Sequence, residues 1–120
     1  MLRVTGLALL AALALSGCDR QSAAAVTGAD PRHGAILMAE HGCGACHSIP
    51  GVTGARGRVG PPLDTFGQQA VIAGILPNTP DNLVTWIRTP QRVTPGNAMP
   101  NTELSDHDAR DIAAYLDTLR

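Results

Sequence analysis

The sequence predicts an all-α domain built on three main helices, and three observations carry that reading. A capping residue followed by proline opens two separate apolar stretches, at Asp30-Pro31 and Thr79-Pro80. A third run, beginning after Ser105, spaces its apolar residues as a helix does. Cys43-Gly44-Ala45-Cys46-His47 places two thiols and an imidazole where a helical turn would gather them. No convincing hairpin or alternating strand competes with these signals.

In the first element the Asp30 side chain can accept an orphan backbone N–H, and Pro31 sits at N1, where its missing N–H costs nothing. Ile36, Leu37 and Met38 supply an apolar face, and the helix runs toward Gly42. Gly51, Gly54, Gly57 and Gly60 then recur at every third position. The stretch lacks the GK[ST] of a phosphate loop and is too short for a collagen triple helix, so it reads as a loop. Thr79-Pro80-Asp81-Asn82 opens the middle helix, which carries Leu83, Val84, Trp86 and Ile87 and stops at Pro90. Pro90 to Pro100 holds three prolines, a glycine and asparagine, and reads as extended or looped. In the last helix Asp106 and Asp108 occupy the first turn, where negative charge suits the helix dipole. Ile112, Ala113, Leu116 and Leu119 follow at helical spacing, with Tyr115 beside them.

The C-x-x-C-H run carries the chemistry. Thiols at i and i+3 reach two carbons on one porphyrin edge, and the adjacent histidine is carried under the ring to bind iron. A zinc half-site would need two more ligands at suitable spacing, and a thioredoxin-like pair would want a βαβ context. Cys43 and Cys46 are therefore read as covalent attachment points for one haem c, with His47 as an axial ligand. For the second axial position the candidates are Met38, Met99, His33, His41 and His107. Met38 and His41 share the short run that holds the cysteines and reach the other ring face poorly. His33 opens a helix and His107 lies in a first turn, both common surface positions. Met99, in Gly96-Asn97-Ala98-Met99-Pro100, is on a distant loop that can wrap around, and its thioether would favour ferrous iron.

The ends and the composition set the context. Of 120 residues, the charged side chains leave a formal net charge of −1, and every cation besides histidine is arginine. No basic patch points to a nucleic-acid partner. Arg3 followed by the apolar run Leu7 to Leu15 reads as a signal peptide over residues 1–17, too short to span a bilayer. It ends in Leu15-Ser16-Gly17-Cys18, which resembles a bacterial lipobox and assigns Cys18 to lipidation. Residues 18–29 then form a lipidated tether. Its small and polar segment 19–29 could reach about 35–40 Å when extended. Residues 30–120 are the haem domain, near the size at which a core alone is marginal and a buried macrocycle helps.

Asp30 to Arg120 resembles a class I cytochrome c. The match rests on a helix ending in CxxCH, the Gly60-Pro61-Pro62-Leu63 segment, a short middle helix, the Met99-Pro100 loop and a C-terminal helix. Leu76-Pro77-Asn78-Thr79-Pro80, Asn82-Leu83, Trp86-Ile87 and Pro95 to Pro100 are more narrowly similar to the cytochrome c domain of subunit II of caa-type haem–copper oxidases. The resemblance implies that Pro61 gives its carbonyl to the Nδ1 proton of His47, and it assigns Trp86 to haem packing. It also implies that the terminal helices cross at Gly34 and Tyr115. Where those oxidases carry a copper-site domain and a transmembrane hairpin, this sequence has the short apolar run and the tether.

The expected role is a membrane-tethered, non-enzymatic monohaem electron carrier on the outer, periplasmic face of a bacterial cytoplasmic membrane. Its expected partners are redox proteins, notably membrane respiratory complexes such as a haem–copper oxidase, with no small-molecule substrate. The alternatives are a haem subunit of a periplasmic dehydrogenase, or a haem peroxidase or gas-binding protein. No distal acid–base pair supports the latter. Arg56, Arg58, Arg88 and Arg92 are expected around the haem edge, and Glu103, Asp106, Asp108, Asp111 and Asp117 as an acidic surface on the last helix.

Overall fold

The computed structural model describes residues 28–120, so Cys18 and the apolar leader lie outside the described part. Helix α1 spans Pro31–Glu40, and the Asp30 carboxylate caps it by accepting from the N–H groups of Arg32 and His33 at 2.9 and 3.3 Å. Gly42, at φ 70°, turns the chain out of the helix in the left-handed region that glycine enters without steric cost. The buried face is Gly34, Leu37 and Met38, whereas Ile36 is 54% exposed. Ile36 was expected inside; its neighbours at 34, 37 and 38 form the i, i+3, i+4 stripe instead.

A 3₁₀ turn at Cys43–Ala45 carries the thiol motif, and a second lies at Phe66–Gln68. The strands β1 (Val71–Ile72) and β2 (Leu76–Pro77) pair antiparallel, with Val71 opposite Pro77 and Ile72 opposite Leu76. No hairpin was expected there. Its turn holds Ala73 at φ 51° and Gly74 at φ 75°, so alanine occupies a position where asparagine or glycine would have signalled the turn. Helix α2 is Pro80–Arg88, capped by the Thr79 hydroxyl through the Asn82 N–H at 3.3 Å. Pro90 both ends it and starts α3, Pro90–Val93, a single turn inside the segment expected to be irregular. Helix α4, Asp106–Thr118, is capped by Ser105 through the Asp108 N–H at 3.0 Å.

Helices α1 and α4 cross in close contact. A methyl group on Gly34 would overlap the Asp111 carbonyl, so only glycine allows this approach. Gly34 thus sits at the crossing as the family resemblance implied. Tyr115 packs partly buried against the core, and its hydroxyl donates to the Pro50 carbonyl, pinning the loop after the thiol motif to α4. Leu37, Met38, Leu83, Ile87, Ile112 and Leu116 close the core between α1, α2 and α4.

Asp111 is 1% exposed and is not part of an acidic surface. One of its oxygens accepts the Asp30 N–H at 2.8 Å, and the other lies 2.7 Å from Nδ1 of His33. Burial opposes its ionisation, but the hydrogen bonds from His33 and Asp30 and the nearby imidazoles outweigh that and hold the carboxyl below its ordinary range. The same hydrogen bond raises His33, against a smaller desolvation effect. Among the described residues, no helix is long and apolar enough to cross a membrane.

Candidate haem-binding site

Backbone bonds wind the thiol motif into a turn. The N–H groups of Cys46 and His47 both donate to the Cys43 carbonyl, at 3.2 and 3.0 Å. The glycine-rich loop then folds back on the motif. Gly57 N–H lies 3.0 Å from the Gly44 carbonyl and 3.2 Å from that of His47, and Gly60 N–H donates to Cys46 at 2.8 Å. Side chains at Gly57 or Gly60 would collide with the motif: a methyl on Gly60 would run into the His47 ring. Glycines that signal only a loop in sequence are here the surface on which the motif rests.

His47 Nδ1 is 2.7 Å from the Pro61 carbonyl oxygen. A carbonyl only accepts, so Nδ1 carries the proton and Nε2 keeps its lone pair for a metal. The bond implied by the family resemblance is present, and it fixes the tautomer that ligation requires.

Met99 reaches the same cleft from α3 and the loop that follows it. The cleft has a volume of about 370 Å³ and is lined by Cys43, Cys46, His47, Met99, Trp86 and Pro61, with further apolar walls from Leu63, Phe66 and Ile72. Three of the other candidate ligands stand apart. Met38 is 2% exposed in the core, and His33 and His107 lie beside Asp111 at the α1–α4 junction. His41 borders the cleft but is exposed, at the C-cap of α1. Burial raises the pKa of the Cys43 thiol, with the neighbouring Cys46 adding to the shift.

Sequence reasoning assigned no role to two residues that shape this site. The Gln91 amide donates to the carbonyls of Asn97 and Met99, at 2.8 and 2.7 Å, and Asn97 Oδ1 accepts the Met99 N–H at 2.8 Å. Asn97 lies within the loop motif already noted, but Gln91 had no signal beyond following a proline. Of the arginines expected around the cleft, Arg56, Arg58 and Arg92 are exposed. Arg88 is half-engaged, donating to the Leu104 carbonyl at 3.0 Å and lying 3.7 Å from Asp106.

The cleft suits a haem: an apolar slot, two thiols on one turn, an imidazole in the ligating tautomer and a thioether lining the same space. The cytochrome c family model matches residues 32–120. The chain belongs to the cytochrome c family. It is 39% identical over 88 residues to cytochrome c oxidase subunit 2 of Alkalihalophilus pseudofirmus, covering 72% of this chain and 25% of that one. It is also 32% identical over 93 residues to cytochrome c oxidase subunit 2 of Bacillus subtilis, covering 74% and 26%. The chain therefore spans about a quarter of the length of these relatives. Among solved structures it resembles SoxXA from P. pantotrophus, with TM-score 0.59 and 21% identity over 76% of this chain and 82% of that one. It also resembles cytochrome c2 from Rhodobacter sphaeroides, with TM-score 0.50 and 25% identity over 76% and 96%.

The cofactor of this cytochrome c domain is a covalently attached haem c, and the domain is an electron carrier. Bound in the cleft, haem iron would take up and release one electron at a time. The protein supplies the remainder. Leu63, Phe66, Ile72 and Trp86 present an apolar wall that limits water, and the Pro61 carbonyl orients the His47 imidazole.

Proposed function

We propose that the domain carries single electrons with Cys43 and Cys46 in thioether links and His47 and Met99 as the two axial ligands. The observation that carries this is the joint presence of His47, in its ligating tautomer, and Met99 in one cleft with both thiols. Two protein ligands leave no open coordination position, which favours outer-sphere transfer over peroxidase or gas-binding chemistry. Trp86 packs on the macrocycle as part of the cleft wall. The role we assign is that of a carrier tethered through lipidated Cys18 to the outer face of a bacterial cytoplasmic membrane. From there it delivers electrons to a membrane respiratory complex, a haem–copper oxidase in the first instance. The similarity to two oxidase subunits supports that partner, and tethering would raise its effective concentration there without any new contact.

Met99→Ala should abolish the near-infrared sulfur-to-iron charge-transfer band of the ferric holoprotein and admit carbon monoxide to the ferrous form. Survival of the band would assign the sixth ligand elsewhere. Mass spectrometry of the mature N-terminus should find acylated Cys18; an unacylated terminus beyond that residue would remove the tether. Reduced protein in proteoliposomes with a purified haem–copper oxidase should support oxygen uptake, and an inert mixture would send the electrons to another acceptor.

A further inference from the structure

We propose that Gln91 is a positioning residue that sets how firmly Met99 stays on the iron, because its one side-chain amide holds the loop carrying that ligand. The inference rests on the reading of Met99 as the sixth ligand and adds the device that retains it. The Gln91 carboxamide spans the loop on both sides of the methionine. Its Nε2 donates to the Asn97 carbonyl at 2.8 Å and to the Met99 carbonyl at 2.7 Å, while Oε1 accepts the Gly96 N–H at 2.9 Å. The amide cannot be reversed, since two of its partners only accept and the third only donates. Both N–H donors are used.

Asn97 completes the arrangement. Its Oδ1 accepts the Met99 N–H at 2.8 Å, and its Nδ2 donates to the Thr94 and Pro90 carbonyls at 2.6 and 3.2 Å. The two peptide groups of Met99 are thus held by two side-chain amides, its N–H by Asn97 and its C=O by Gln91. Pro100 adds its own restriction on the backbone of the residue before it. Apolar burial contributes little to this loop, because Pro95, Gly96, Ala98 and Pro100 are all exposed. A segment with few buried contacts opens locally at low cost unless hydrogen bonds close it. Gln91 does not line the cleft, so its effect on the iron must pass through Met99.

The test uses the ferric holoprotein and added imidazole, which binds iron only when the methionine has left. Apparent imidazole affinity then reports the fraction of protein with Met99 detached. Gln91→Ala should tighten it on the order of tenfold, from the loss of two donated hydrogen bonds and the one accepted from Gly96. Gln91→Glu keeps the size and the acceptor for Gly96 but removes both donors, so it should tighten affinity similarly; wild-type behaviour would mean that only packing matters and would overturn the proposal. In a Met99→Ala background, Gln91→Ala should change nothing further, and a persisting effect would show that Gln91 acts on the cleft generally. If Met99→Ala itself leaves the band and the imidazole affinity untouched, the ligand assignment fails. If Met99→Ala responds while both Gln91 variants match wild type, the assignment stands and the clamp fails.

Discussion

Replacing Asp111 tests how α1 is fastened to α4. The carboxylate is 1% exposed, and it accepts the Asp30 N–H at 2.8 Å and faces His33 Nδ1 at 2.7 Å. His33 is 44% exposed on its side-chain surface, so water can replace its lost partner, whereas the Asp30 N–H loses a charged acceptor inside the junction. A hydrogen bond to a charged group contributes about 1.5–3 kcal/mol, so Asp111→Ala should cost about 2–3 kcal/mol. Asp111→Asn, which still offers an oxygen to the Asp30 N–H, should cost about 1 kcal/mol. The pH dependence has a fixed sign. His33 titrates above its ordinary 6.5, so its contribution is complete below that pH and disappears as pH rises through the folded value. Asp111 titrates below its ordinary 3.8, so its contribution is complete above that pH and fades as pH falls through the folded value. Denaturant unfolding of ferrous holoprotein should therefore show the largest gap between wild type and His33→Ala from pH 3.8 to 6.5, shrinking at higher pH. A gap that is flat or growing between about pH 5 and about pH 9 would refute the pairing as a stabilising contact.

Two glycines give further tests. Gly60→Ala puts a methyl into the His47 ring and should displace it from the Pro61 carbonyl. Haem incorporation should fall or the reduction potential shift, with helix content by circular dichroism unchanged; a wild-type potential would show that the loop yields instead. Gly34→Ala drives a methyl into the Asp111 carbonyl, and overpacking of that kind should cost about 1–3 kcal/mol. Alanine's better helix propensity offsets about 1 kcal/mol of this. A rise in melting temperature would mean that α1 and α4 separate without penalty.

The sequence was most legible where local chemistry decides structure. Asp30, Thr79 and Ser105 each cap a helix as their side chains predict, and CxxCH forms its turn with the Cys43 carbonyl accepting from both Cys46 and His47. It was least legible where tertiary contact decides. Ile36 reads as core and is exposed, since the α1–α4 crossing at Gly34 sets which stripe is buried. Asp111 reads as one of several surface acids, because its pairing with Asp30 and His33 comes from the far end of the domain. The hairpin at 71–77 escaped because Ala73 stands at a positive φ that no local signal announced. In the site, Cys43, Cys46, His47, Pro61, Trp86 and Met99 all line the cleft. Gln91 escaped because a lone polar residue after a proline looks like any other loop residue.

The two halves of the cleft are held by different physics. On the His47 side the backbone of Gly57 and Gly60 bonds to the thiol turn, and the Pro61 carbonyl holds the His47 ring that Gly60 packs against. On the Met99 side, two amide side chains bridge a loop whose flanking residues face solvent. Hydrogen bonds near water contribute about 1 kcal/mol each, whereas overlapping backbone cannot be accommodated without moving an element. Mild perturbation, by denaturant or by a competing ligand, should therefore detach Met99 while His47 stays in place. For an electron carrier that asymmetry has a consequence. With Met99 as the proposed sixth ligand, the share of molecules holding it, and with it the potential, would be set by a few polar contacts on one loop, while Gly57, Gly60 and Pro61 hold the His47 side.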